Sequence, residues 1–136
     1  MARSDDALGR TSTPVRAVEG LLAYAQTQRR WGRPARGALR SAGQAVSLSR
    51  DLAAHSPAHT LLLVRALRTT ARLHLERGQP AEALPLAEEA VALARRLGGD
   101  PLVVSLEALA RIYDSLQRYG EATSAIAEAG KHNLPE

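Results

Sequence analysis

One pattern occurs twice in this chain at a fixed separation. Leu67-Arg68-Thr69-Thr70-Ala71-Arg72-Leu73-His74 aligns with Leu106-Glu107-Ala108-Leu109-Ala110-Arg111-Ile112-Tyr113 at an offset of 39 residues. The register continues downstream, where Ala83, Ala87 and Ala90 fall opposite Ala122, Ile126 and Ala129 at the same offset of 39. A weaker copy runs through Leu22, Ala25, Ala38, Ala42 and Ala45, offset by 45 from the second. A period of this length marks units that cannot bury their apolar faces alone and stack to do so. A generic helical bundle has no reason to repeat.

Apolar spacing and breakers divide the chain into six helices. Thr13-Pro14 supplies a cap and a first-turn proline, and Val15, Val18, Leu21, Leu22 and Ala25 recur at helical spacing as far as Trp31-Gly32. Pro34 opens a second helix that ends near Arg50 or slightly later, with Ala38, Leu39, Ala42 and Val46 on one face. Ser56-Pro57 opens a third, which Gly78 stops after Arg77. A fourth follows Pro80 and halts at Gly98-Gly99. Pro85 is tolerable in it only if the helix starts at about Ala81 or Glu82, because the first N–H groups have no intrahelical partner. Asp100-Pro101 caps a fifth through Leu116, and a sixth runs from about Tyr119 or Glu121 to Ala129, ending at Gly130. Residues 1–12 are polar and aperiodic and are read as disordered. One domain is expected over 13–130, as hairpins of about 14–52, 57–98 and 100–130, with 131–136 as a tail.

Composition supports helices and removes most chemistry. The chain holds 26 Ala and 21 Leu against no Phe, three Tyr and one Trp, so strand formers are scarce and an all-β fold is excluded. Small side chains at helix contacts let axes approach to about 8 Å. With no Cys there is no disulfide scaffold, thiolate metal site or cysteine nucleophile. No apolar run approaches a membrane span of about 18 residues, and the first residues carry charge with no apolar stretch behind them. A soluble, cytoplasmic protein is expected.

Leu67-Ala71-His74 with Ala83-Ala87-Ala90, and Leu106-Ala110-Tyr113 with Ala122-Ile126-Ala129, resemble the tetratricopeptide repeat. That pattern sets a large residue, a small one four positions on and then an aromatic, followed in the second helix by Ala, a larger residue and Ala. "RGQPAEAL" at 77–84 and "QRYGEAT" at 117–123 look like its inter-helix turn. The resemblance covers roughly residues 14–130. It departs in period, since the family repeat is about 34 residues; Gln26 replaces the small residue in the first copy, and "RRLGGDP" at 95–101 replaces the usual proline. Longer repeats of this sort look like those of bacterial regulatory and signalling proteins. The resemblance implies an all-α, right-handed solenoid of stacked antiparallel hairpins that binds a protein or peptide and catalyses nothing.

In such a stack the first helix of each pair lines a concave groove. The resemblance then places Ala23, Thr27, Arg30 and Trp31 there from the first copy. The second copy supplies Arg65, Arg68, Arg72 and Glu76, and the third Val104, Glu107, Arg111, Asp114 and Ser115. Arg65, Arg68 and Arg72 share one helix face, and Arg111 stands beside Arg72 in the next repeat. Such a ladder suits an acidic peptide or a chain-terminal carboxylate. A solvated Arg face partly neutralised by Glu76 and Glu107 is the alternative. A coding bias also fits, since 17 of the 18 basic residues are Arg.

Net charge adds a second function class. Residues 1–77 carry 13 Arg against 5 acids and residues 78–136 carry 5 basic residues against 9 acids, so the net +4 conceals a basic front half. That half would attract nucleic acid, with Trp31 its one aromatic platform. Asp51, His55 and His59 have superficially ligand-like spacing, but Pro57 between the histidines starts a new helix, so no metal site is expected. His74 takes an aromatic packing position, and Glu88 and Glu89 are adjacent on a helix and read as solvated. No hydrolase, phosphate-loop or metalloprotease motif occurs, and neither an enzymatic activity nor a cofactor is expected. After Gly130 too few residues follow for a capping helix, so the end face near Leu109, Ile112, Leu116 and Ile126 is expected to be partly uncovered. A homodimer, or docking on another domain of a larger regulator, follows from that.

Overall fold

A computed structural model describes residues 13–133; the disorder expected of 1–12 and the last three residues of the expected tail lie outside the described residues. Six α-helices are described, α1 (Thr13–Thr27), α2 (Arg36–His55), α3 (Thr60–Glu76), α4 (Pro80–Leu97), α5 (Gly99–Ser115) and α6 (Tyr119–His132). A two-strand ribbon, β1 (Arg29–Arg30) and β2 (Arg33–Pro34), joins α1 to α2, and a 3₁₀ turn at Pro57–His59 precedes α3. The fold is all-α and tetratricopeptide-like, as the repeat pattern implies.

Each helix packs on the next, and α3 also touches both α1 and α5. The first helices of the three pairs therefore form one layer, α1-α3-α5, with α2, α4 and α6 behind it. Buried residues at matched repeat positions build the core: Leu67 and Leu106, Ala71 and Ala110, Ala83 and Ala122, Ala90 and Ala129. At the first hairpin a smaller cluster of Ala25, Ala38 and Ala42 closes on Leu73. Alanine dominates the contacts because two backbones must come close there.

The turns repeat as faithfully as the core. After α3, Gly78 N donates to Leu75 O at 2.9 Å and Gln79 N to His74 O at 2.9 Å. After α5, Gln117 N donates to Asp114 O at 2.9 Å and Arg118 N to Tyr113 O at 2.8 Å. Gly78 and Gln117 occupy the same slot and both adopt positive φ, 75° and 61°. That conformation terminates a helix easily with Gly and at some cost with Gln.

Several boundaries move from their expected places. The first helix stops at Thr27 rather than Trp31, because Trp31 and Gly32 both take positive φ (56° and 78°) and close the ribbon, pairing Arg30 with Arg33 and Arg29 with Pro34. The second runs on to His55. Ser56 caps the 3₁₀ turn, not α3, accepting from Ala58 N at 3.3 Å. α4 starts at Pro80, so Pro85 lies inside the helix and Ala81 O lacks its N–H donor; both residues are exposed, which leaves that carbonyl to water. Gly98 alone separates α4 from α5, and Asp100 sits within the first turn instead of capping it, where its charge suits the helix dipole. The sixth helix passes Gly130 to reach His132.

Glu88 and Glu89 are not idle surface charges. The Arg50 guanidinium pairs with both oxygens of Glu89, and Arg95 does the same with Glu128. These pairs span α2 to α4 and α4 to α6, tying the outer layer together. Pairing with Glu89 holds the pKa of Arg50 above the usual arginine value. The Tyr113 hydroxyl donates to Glu88 at 3.4 Å.

Candidate functional site

The regular spacing of α3 puts Arg65, Arg68 and Arg72 on the face left open between α1 and α5. Arg68 and Arg72 meet Arg111 of α5 in one cavity of about 100 Å³, together with Thr69, Val104 and Ala108. The expected neighbour relation between Arg72 and Arg111 is therefore present in space. Arg65 does not line that cavity, and its Nη1 lies 3.7 Å from a Glu19 carboxylate oxygen on α1. Glu107 and Asp114 do not line the cavity and form no ion pair among the described residues.

Charge is unevenly compensated within this ladder. Arg72 lies 3.7 Å from Glu76, which Arg29 also contacts at 2.8 Å. Arg68 and Arg111 form no ion pair among the described residues. Burial of Arg68, with the Arg65 and Arg72 guanidinium groups beside it, holds its pKa below the usual arginine value. A cation that is half-buried among like charges gains when an anion arrives. A carboxylate is the simplest group to fill the gap, since each guanidinium can grip it with two N–H donors.

Arg30 and Trp31 are elsewhere. Both sit on the ribbon at the α3–α4 turn, lining a separate cavity of about 320 Å³ with Arg33, Arg36 and Arg77. Ala23 and Thr27 are exposed on α1, and the Thr27 hydroxyl donates to Tyr24 O at 2.9 Å. Glu19 was missed because it lies off the transferred groove positions; its one legible signal is that it is the single acid in residues 7–50.

The histidines face local oxygens. His55 Nδ1 is 2.8 Å from Asp51 O, and His59 Nδ1 is 3.4 Å from Leu52 O. His74, half-buried where its counterpart Tyr113 packs, sets Nδ1 3.1 Å from Gln79 Oε1 and steadies the turn. No cluster of three or more metal-ligating side chains occurs among the described residues. None of the described helices is long and apolar enough to cross a membrane.

Paired helices, matched turns and a layer of first helices define a helical-repeat protein. The sequence profile of the tetratricopeptide repeat matches residues 62–129, half the chain, and the protein belongs to the tetratricopeptide repeat family. The match spans the two strong copies, from α3 to α6. No curated protein and no solved structure matches the chain. Tetratricopeptide repeats are, as a family, modules for protein–protein interaction, typically without catalysis.

Proposed function

We propose that this protein is a non-enzymatic adaptor whose groove holds an acidic peptide or a chain-terminal carboxylate against Arg68, Arg72 and Arg111. The carrying observation is that three arginines from two consecutive repeats line one cavity, two of them without a carboxylate partner among the described residues. Arg68 and Arg111 grip the anion, Arg72 stays poised on Glu76, and Val104 offers an apolar contact beside them. The setting is a cytoplasmic one in bacterial regulation or signalling, which the long repeats favour. A labelled acidic peptide with a free C-terminus, titrated against wild type and Arg68→Ala/Arg111→Ala, tests this. Loss of about tenfold in affinity is expected, and equal affinity contradicts it.

One observation favours self-association as a second property. Ile126 is 52% exposed on α6, whereas Ala87 in the same slot of the preceding repeat is 1% exposed beneath the next hairpin. Leu109 and Ile112 are buried and Leu116 is half-buried, so the uncovered apolar surface is narrower than the sequence pattern suggests. A second copy packed on α6 would cover Ile126.

A further inference from the structure

The ribbon between α1 and α2 carries a feature that folding does not explain. Trp31 is 94% exposed and so buries almost nothing. It also holds a positive φ of 56°, a conformation costly for a bulky side chain and natural for Asn, Asp or Gly in a two-residue hairpin turn. Stability alone would replace it.

Its surroundings are cationic and firmly held. The Arg33 guanidinium donates to Arg77 O, and Arg77 Nη1 donates to Pro34 O at 2.8 Å, locking the ribbon onto the α3–α4 turn. Arg29 adds its contact with Glu76 at 2.8 Å. Arg77 Nε is buried without a hydrogen-bond partner among the described residues. Arg30 and Arg36 remain exposed beside Trp31, and none of the four arginines in this cavity forms an ion pair among the described residues. α2 also begins here with no capping side chain and no acid in its first turn, so its positive end is uncompensated.

We propose that this ribbon is a binding site for single-stranded nucleic acid, distinct from the groove. An unstacked base lies on the Trp31 ring while Arg30 and Arg36 hold the flanking phosphates. An anionic peptide would need the arginines but has no use for a projecting indole. A duplex offers its phosphates but keeps its bases stacked. The pairing of one flat aromatic with two exposed guanidinium groups, Arg30 and Arg36, fits the single strand best.

Trp31 is the sole tryptophan of the chain, so intrinsic fluorescence reports the site directly. The probe is an oligothymidylate of about a dozen nucleotides, within the range one such site covers, at about 100 mM salt. Quenching is expected, with affinity falling as salt rises. Arg30→Ala/Arg36→Ala breaks no side-chain hydrogen bond or ion pair among the described residues; it should weaken binding at least tenfold and reduce the slope of log K against log salt by about 1.4, the increment for two phosphates on a single strand. Trp31→Ala, followed by anisotropy of the labelled oligonucleotide, should weaken binding at least about fivefold. Arg68→Ala/Arg111→Ala should leave it unchanged, which separates this site from the peptide groove. Absence of quenching, indifference to the ribbon variants, or a phosphorylated peptide that quenches Trp31 where the oligonucleotide does not would overturn the proposal.

Discussion

Single residues show where repetition yields to local need. Ser105 stands 39 positions after Ala66 and is equally buried, yet its hydroxyl has no hydrogen-bond partner among the described residues. Thr70 and Ser49, also buried, return their hydroxyls to Ala66 O at 2.8 Å and Ala45 O at 2.7 Å. An orphaned hydroxyl costs about 1 kcal/mol or more. Ser105→Ala should therefore raise stability by about 1 kcal/mol, read as a higher urea midpoint at unchanged slope; a lower midpoint would show that Ser105 has a partner. Arg68 is the opposite case, a residue whose burial among arginines works against folding at neutral pH. Its depressed pKa has a clear sign: a base lowered in the folded state destabilises whenever it is charged, until pH exceeds its folded value. Arg68→Met, which keeps the apolar stem, should leave the urea midpoint unchanged or higher while abolishing tight anion binding. A clearly lower midpoint would make Arg68 structural.

Helices and their ends were legible to different degrees. The apolar spacing of α3 and α5 located both within a few residues, because each buries one face continuously. The end of α1 was not legible. Polar Gln28, Arg29 and Arg30 break the apolar spacing, but Trp-Gly is not a customary hairpin dipeptide, so nothing local announced the ribbon. The start of α4 misled in the other direction, since proline preference at the first position outweighed the discomfort of Pro85. Pro85→Ala restores a donor to Ala81 O and should stabilise by on the order of 1 kcal/mol, less than a mid-helix proline costs because the exposed carbonyl is hydrated. Thermal unfolding measures it; an unchanged midpoint would mean that water already satisfies the carbonyl fully. Arg50–Glu89 and Arg95–Glu128 were invisible for another reason. Each joins helices that are not sequence neighbours, and only the stacking brings them together.

At the scale of the molecule, the offset of 39 residues set the architecture, and the layer of first helices followed from it. That Arg68, Arg72 and Arg111 come together in space was readable, because helix periodicity and repeat register both act on them. Arg30 and Trp31 were not, because their placement depends on a turn outside the repeat. The exposed Ile126 on α6 carries its own expectation. If a second copy covers Ile126, light scattering at tens of micromolar should give a dimer that Ile126→Glu converts to a monomer; a strictly monomeric wild type would contradict it. The central claim is that Arg68 and Arg111 form an anion-gripping groove, and the salt-dependent affinity of an acidic, free-carboxylate peptide tests it most directly. The Arg68→Ala/Arg111→Ala protein should bind about tenfold more weakly with a flatter salt dependence. Equal affinity and equal salt dependence for the two proteins would show that the arginines only solvate this face.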